Sequence, residues 1–452
     1  MKVYMFISCH ITSLLVFSLS VLLYGWAVLY YDGYLPLFPS YLFNSPSPPP
    51  VRKHASYEVS YFIEPIDFLH DARVYVGRES ALARPVHDRG SEAEALATLH
   101  AANGFCRNGK FDKAEKLYEH ALALQPNHPD ILTEYGIFVE NYSGDIVKAN
   151  FLYSRALIFR PDHSVAKEYS AKTKPIVAEI DADMMRILDE KRGMFLRIPR
   201  GNSALRRAMR ESYIAHVYHT VALEGNTMTL MQTRSILETK LAIAGKSVME
   251  HNEILGLDSA LRFINSSMTN RIGAITINDI LDIHKRVLGY VDPVEAGRFR
   301  TTEVFIGKFT PTEPQLVEQE MNEFITWINS ESAVEIHPVE MAAIAHYKFV
   351  SIHPFIDGNG RTARLLMNFI LMQAGFPPVT IRLEDRPEYY DKLILANEGD
   401  LRPFVRFIAK CTERTLEEYL RCVTEHKPST VDTISSVARD LHRIHFTNIP
   451  DR

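Results

Sequence analysis

Apolar residues along this chain recur mostly at helical spacing. In residues 338–352 (PVEMAAIAHYKFVSI), Met341, Ile344, Ala345, Phe349 and Ile352 fall on one face. Residues 361–373 (RTARLLMNFILMQ) form a second, more apolar helical segment, and residues 205–226 (LRRAMRESYIAHVYHTVALEGN) read as a helix ending at Gly225. Residues 303–309 (EVFIGKF) alternate apolar with polar around Gly307-Lys308, which predicts a short β-hairpin. Residues 114–122 (AEKLYEHAL) recur as 149–157 (ANFLYSRAL), and Pro126 recurs as Pro161, an offset of 35. A mainly α chain is predicted, with that hairpin its one piece of β-structure.

The ends are patterned differently. Residues 3–31 hold no Asp, Glu, Lys or Arg, and a helix of that length exceeds the ~30 Å hydrocarbon thickness of a bilayer. A single transmembrane anchor over 1–31 is expected over a cleaved signal peptide, because the apolar core from 11 to 31 is long and bulky Leu, Trp and Tyr stand where a cleavage site needs small residues. Lys2 flanks it on one side, Asp32 follows on the other, and the first basic residues after it are Arg52-Lys53. This distribution predicts a cytosolic tip and a lumenal or extracellular remainder. The sequons at Asn141 and Asn265 agree with such a compartment. A proline-rich spacer at 36–50 lies within a stalk covering 32–92. The 35-residue repeat resembles tetratricopeptide units, whose period is about 34. Two are expected, 93–126 and 127–161, followed by capping and linker helices in 162–200.

Composition narrows the partners. The net charge of −5 over 452 residues comes with no basic block, so no nucleic-acid partner is expected. Cys9 falls in the anchor, Cys106 is isolated, and Cys411 and Cys422 sit about 16 Å apart if on one helix, so no disulfide is expected.

Between the two apolar helices lies His353-Pro354-Phe355-Ile356-Asp357-Gly358-Asn359-Gly360-Arg361-Thr362-Ala363-Arg364. Gly358 and Gly360 can take positive φ and turn main-chain N–H groups inward just before a helix N-terminus, which makes an anion hole. Arg361 and Arg364 share a helix face and can fork onto further phosphate oxygens. Asp357 beside this cradle can hold Mg²⁺ (or Mn²⁺) together with the phosphates of a nucleotide. His353, with an ordinary pKa of about 6.5, can take a proton from a hydroxyl at neutral pH.

The pattern H-x-F-x-D-G-N-G-R-x-x-R resembles the signature of the Fic family of AMP-transferring enzymes. The resemblance implies an all-helical catalytic domain over 201–424 with its core motif at 353–364, and ATP as substrate. His353 would be the general base and Asp357 the metal ligand. Gly358, Asn359, Gly360, Arg361, Thr362, Ala363 and Arg364 would surround the phosphates. Ile306, Gly307, Lys308 and Phe309 match the family's flap, and Tyr389, Tyr390 and Asn397 match positions that contact the nucleoside. Thr220-Val221-Ala222-Leu223-Glu224-Gly225-Asn226 resembles the family's inhibitory motif, whose glutamate pairs with the second motif arginine, here Arg364. Glu224 would thereby suppress transfer, and could orient a water for removal of AMP at the same site.

Anchor, repeats, inhibitory helix and catalytic loop stand in the order of the metazoan endoplasmic-reticulum type of this family. That likeness implies a single-pass type II protein of the endoplasmic-reticulum membrane, a homodimer, and the lumenal Hsp70 chaperone BiP as target. It is faint in 56–92 and beyond residue 427, within a C-terminal tail over 425–452. Two alternatives stay open: a phosphate or phosphocholine transferase on the same scaffold, and a tetratricopeptide membrane scaffold with a silent catalytic core.

Overall fold

The structure, a computed structural model of the chain, describes residues 89–199, 201–268, 275–307 and 309–425. The expected anchor, the proline-rich spacer, Lys308 and the tail beyond 425 lie outside the described residues. Among the described residues no helix is long and apolar enough to cross a membrane.

Four helices come first: α1 (Arg89–Arg107), α2 (Phe111–Leu124), α3 (Pro129–Phe138) and α4 (Ile146–Phe159). α1 packs on α2 and α3 on α4. The repeat explains why. Ala114, Tyr118 and Ala121 of α2, and their counterparts Ala149, Tyr153 and Ala156 of α4, are all buried in one core with Ile131, Leu132 and Phe138. The alanines let a neighbouring helix approach and the tyrosines fill what remains. The extra residue that stretches the offset to 35 is absorbed by a π-turn, Val139–Ser143, closed by Gly144 at φ 67°. Asn141 is exposed in that turn. Asn265, in a second π-turn (Ile264–Met268), keeps only 8% of its surface, so a glycan there would have to be attached before the turn closes.

The next helix, α5 (Ser164–Leu196), is 33 residues long and spans about 50 Å. It occupies the stretch where a helix capping the repeats and leading on to the catalytic unit was expected, around 164–192. Ala166 near its start belongs to the repeat core, whereas Met185, Leu188 and Phe195 belong to a second, larger core.

That second core is built by α6 (Ser203–Ala222), α7 (Leu230–Thr239), α8 (Val248–Phe263), α9 (Ile277–Leu288), α10 (Val317–Ile328), α12 (Pro338–Ile352), α13 (Asn359–Gln373), α14 (Arg386–Asn397) and α15 (Arg402–Glu425), with the short α11 (Glu331–Glu335) between α10 and α12. α12 and α13 lie at its centre. Every residue from Arg361 to Met372 is buried, because α6, α9 and α12 all pack on α13. The repeats are tied to this unit through polar contacts: Arg402 donates to Asn150 at 2.7 Å, Arg406 forks onto Asp181 of α5 at 2.7 Å per arm, and Arg155 meets Glu398 at 2.8 Å. Cys106, Cys411 and Cys422 are free, in line with the spacing.

Three local expectations are corrected. The hairpin at 303–309 reduces to one bridge between Ile306 and Phe309 around Gly307 at φ 57°. Phe305 is 87% exposed, and an isolated pair of strands without an apolar face to bury is marginal in water. The helix after the catalytic loop begins at Asn359, two residues early, since Gly358 supplies the left-handed turn ahead of it. The helix at 205–226 starts at Ser203 and ends at Ala222, and Gly225 lies just past it at φ 101°. Gly225 N–H bonds Ala222 O at 3.0 Å and Asn226 N–H bonds Val221 O at 3.3 Å, the pattern of a Schellman cap.

Packing in the larger unit is tight at Gly256 of α8, where a β-carbon would stand 2.5 Å from Val287 O and 2.9 Å from Arg286 O of α9. Alanine normally gains about 1 kcal/mol over glycine in a helix interior. Gly256→Ala should instead destabilise by ~1–3 kcal/mol, seen as a lower thermal midpoint in circular dichroism; an unchanged or higher midpoint would contradict the close approach.

Candidate active site

Where α12 ends, His353 turns out of the helix with φ 52° and ψ 59°, a conformation uncommon for a residue with a side chain. Its Nδ1 lies 3.2 Å from Val350 O. A carbonyl only accepts, so Nδ1 carries the proton and Nε2 keeps its lone pair. Burial holds the His353 pKa below the usual histidine value; the Val350 bond opposes this, the Arg300 charge adds to it, and Glu224 and Asp357 oppose it. A neutral imidazole with a free Nε2 at pH 7 is what a general base requires.

Five residues on, the chain turns into α13. Gly358 stands at φ 77°, but Gly360 does not share a positive φ, contrary to the expectation for both glycines. Gly360 is already helical and is required for room: a β-carbon there would lie 2.4 Å from Glu224 Oε1. The main-chain donors left free at this end are those of Asn359, Gly360 and Arg361. Thr362 and Ala363 are buried one turn further in, and the Thr362 N–H is already bonded to Gly358 O at 2.9 Å. The Asn359 side chain also faces inward, bonding both main-chain groups of Phe355, so only its main chain can meet a nucleotide.

Glu224, at the end of α6, completes this arrangement. Its Oε1 accepts from Arg364 Nη2 at 2.6 Å, and the same nitrogen donates to Thr220 O at 2.9 Å. Arg364 is 2% exposed. Burial alone would lower its pKa, and the facing Glu224 carboxylate, with Tyr389, more than reverses that. An anion therefore already rests against the positive end of α13, where a phosphate would be favoured. Asn226 secures the end of α6 by donating to Glu250 O at 3.0 Å and to Glu253 at 2.7 Å.

Asp357 is exposed at the rim. One oxygen accepts from Arg361 Nη2 at 2.8 Å and the other from Gly358 N at 2.6 Å. Among the described residues no group of three His, Cys, Asp or Glu could hold a metal. A lone exposed carboxylate at the edge of a phosphate cradle fits Mg²⁺, which takes one or two carboxylates and completes its shell with phosphates and water.

The remaining candidates divide. Tyr389 is a core residue whose hydroxyl lies 3.0 Å from His346 Nε2, and Tyr390, half-exposed, stacks edge-on against it beneath Arg386. Both tyrosines feel the charges of Glu224 and Arg364. Asn397 is exposed at the end of α14, two turns beyond Tyr390. Ile306, Gly307 and Phe309 form the bridged turn, with Lys308 outside the described residues.

Sequence reasoning missed four groups. Glu253 sits 3.5 Å from Arg361 Nη1; burial raises its pKa, while Asn226 and Arg361 act against that. Arg386 Nε donates to Leu223 O at 2.9 Å and so steadies the turn carrying Glu224. Arg300 and His284 hold the back of the catalytic loop. His284 carried a readable signal, because it falls on the same face of α9 as Ile280, Ile283 and Val287, and a polar group on a buried stripe needs a partner.

Residues 274–371 match the model of the Fic/DOC family. The protein adenylyltransferase Fic of Nematostella vectensis is 51% identical over 331 residues, 73% of this chain and 77% of that protein. The chain belongs to the Fic/DOC family. A second Fic relative, the protein adenylyltransferase of Aedes aegypti, is 53% identical over 75% of this chain and 68% of its own length. The solved structure of Fic-1 from C. elegans superposes with a TM-score of 0.69 at 47% identity, covering 74% of this chain and 99% of that one.

Removing Glu224 leaves Arg364 buried without its carboxylate. Breaking a fully buried pair costs about 3–5 kcal/mol; Glu224 is 30% exposed, so a loss of ~1–3 kcal/mol is expected. Glu224→Gly should melt earlier than the wild type and gain more from added MgATP in thermal-shift measurements. Equal midpoints in the absence of nucleotide would contradict the pairing.

Proposed function

We propose that this chain is a protein adenylyltransferase of the endoplasmic-reticulum type, transferring AMP from ATP to a hydroxyl of a folded target, and that the same site removes AMP from the modified target. The observation that carries this reading is the placement of a neutral His353, with Nε2 free, beside a helix N-terminus whose anion position is taken by Glu224. The names of its relatives support adenylyl transfer.

In the forward direction, His353 Nε2 takes the proton as the target hydroxyl oxygen attacks the α-phosphorus. The bond from that phosphorus to the bridging oxygen breaks, and pyrophosphate leaves. The free amides at Asn359, Gly360 and Arg361 face the charge that grows on the phosphate oxygens, and they are fixed beforehand. Mg²⁺, when bound at Asp357 with the phosphates, would neutralise further charge. Arg364 can hold the γ-phosphate only after leaving Glu224. With the pair intact, the cradle is short of one cation and transfer is slow.

In the reverse direction a water takes the place of pyrophosphate. Its oxygen attacks phosphorus while its proton passes to the Glu224 carboxylate, the bond to the target oxygen breaks, and the target oxygen takes a proton from His353 in its protonated form; exchange of that proton with solvent resets both side chains as AMP leaves. Glu224, already beside the first turn of α13, is placed to orient that water. The two directions thus use Glu224 oppositely.

The order of segments along the chain supports an anchored, lumenal catalyst in which the two helix pairs, read as tetratricopeptide units, select the Hsp70 chaperone BiP by its folded surface. A homodimer belongs to the same reading.

Purified Glu224→Gly incubated with labelled ATP and candidate chaperones should incorporate AMP at least tenfold faster than the wild type, and His353→Ala should incorporate none. AMP-modified chaperone should lose its label with the wild type and keep it with Glu224→Gly. Because the His353 pKa lies below the usual value of about 6.5, the Glu224→Gly rate should hold steady from pH 8 down to that value and fall only below it. Absence of label with Glu224→Gly would refute the transferase reading, and a mass gain other than that of AMP would identify a different transfer.

A further inference from the structure

An anion hole made from consecutive amides imposes a second demand on the chain. Where N–H groups turn toward the ligand, the intervening carbonyls turn away from it, and in a buried loop each of those needs a donor. The donors can be followed one by one. Arg300 Nη2 reaches Ile352 O at 3.4 Å, Arg300 Nε reaches His353 O at 2.7 Å, and the Arg300 main-chain N–H reaches Pro354 O at 2.9 Å. Asn359 Nδ2 takes Phe355 O at 2.8 Å. His284 Nε2 lies 2.9 Å from Asp357 O, while His284 Nδ1 lies 2.9 Å from Gly297 N. A main-chain N–H only donates, so Nδ1 accepts and Nε2 carries the proton that goes to Asp357. The His284 ring is also stacked on Phe355 with 3.5 Å between ring centres.

We infer that Arg300 and His284 are positioning residues for transfer, holding the two ends of the catalytic loop with its carbonyls turned outward. It rests on the reading of this loop as a nucleotide cradle. Arg300 works at the His353 end. It is 2% exposed, and all four of the hydrogen bonds from its side chain go to carbonyls, the other two being Thr302 O at 3.0 Å and Thr312 O. Two of the four acceptors, Ile352 O and His353 O, follow one another at the negative end of α12, which suits a guanidinium and explains how it tolerates burial with no carboxylate bonded to it. Thr302 and Thr312 flank the turn carrying Ile306 and Phe309, so the same guanidinium fixes that turn's base relative to the catalytic histidine. His284 works at the Asp357–Gly358 end. A β-carbon on Gly358 would stand 3.2 Å from His284 Nε2, so the left-handed glycine and the imidazole are fitted to each other.

The roles can be separated from packing. In His284→Phe the stacked ring survives and both hydrogen bonds are lost. In His284→Gln the ring is lost, and a donor of similar reach to Nε2 remains. Hydrogen exchange of a peptide covering 353–360, followed by mass spectrometry on the full chain without nucleotide, should quicken about tenfold or more in His284→Phe and stay near the parent in His284→Gln. MgATP affinity, measured by calorimetry in a Glu224→Gly background, should fall about tenfold or more in His284→Phe and be largely restored in His284→Gln. Arg300→Lys, which keeps the charge and loses the fork, should loosen the 353–355 end in the same exchange measurement. Parent-like protection in His284→Phe, or a His284→Gln that behaves like His284→Phe, would overturn the inference. The exchange readout needs neither ATP nor a target, so a chain that transferred no AMP would fail the functional reading and still leave this one decided.

Discussion

A guanidinium buried in a helix-packed interior must have its charge met by acceptors around it, and where carbonyls do this for Arg300, Arg364 meets a carboxylate. It projects from a helix in which every residue from Arg361 to Met372 is shut away from solvent. Only two kinds of anion can come to it: the carboxylate of Glu224, or a phosphate entering from the mouth of the loop. Most of the surrounding architecture fits this choice. The cap at Gly225 stops α6 where Glu224 reaches α13, Asn226 and Arg386 steady that turn, and Gly360 leaves the space the carboxylate occupies. The positive end of α13 then favours whichever anion is present.

The same loop is organised from both sides. Its front offers free amides, a proton acceptor at His353 and an exposed carboxylate at Asp357. Its back is a row of carbonyls, of which those of Ile352, His353, Pro354, Phe355 and Asp357 are met by donors from Arg300, Asn359 and His284. A cradle built this way does not have to rearrange its dipoles when phosphate charge develops, which is the condition under which such donors lower a barrier. Away from the loop, α5 shares its residues between two cores, Arg402 ties α15 to Asn150 of the helix pairs, and Arg406 ties α15 to Asp181 of α5. The helix pairs and the catalytic unit are therefore joined by packing along α5 and by these polar ties.

How much of this could be read from the residues depended on where the information lay. α12 was legible to its last residue, because its apolar positions keep helical spacing up to His353, whose helical conformation is disfavoured by Pro354 after it. The pairing of Glu224 with Arg364 was legible through family resemblance, and also through the discomfort of a carboxylate at a helix C-terminus. The helix pairs were legible as a repeat of small and aromatic residues. What was not legible depends on contacts distant in sequence. Gly360 looked like a conformational glycine and proved a steric one, since the atom that excludes a side chain belongs to Glu224. The place of Tyr389 in the core depends on His346, forty-three residues away in the chain. Arg300 gave no periodic signal at all, because its partners are carbonyls and any sequence supplies those. The hairpin failed because alternation over seven residues does not by itself provide a face to bury.

The central claim is a competition for one guanidinium, and a double-mutant cycle on MgATP affinity tests it most directly. Calorimetric titrations of the wild type, Glu224→Gly, Arg364→Ala and the double variant isolate the coupling between the two residues. Removal of Glu224 should tighten MgATP binding about tenfold or more when Arg364 is present, and by little or nothing when it is absent. An equal gain in both backgrounds would mean that Glu224 opposes the nucleotide by some route other than Arg364, and would contradict the account.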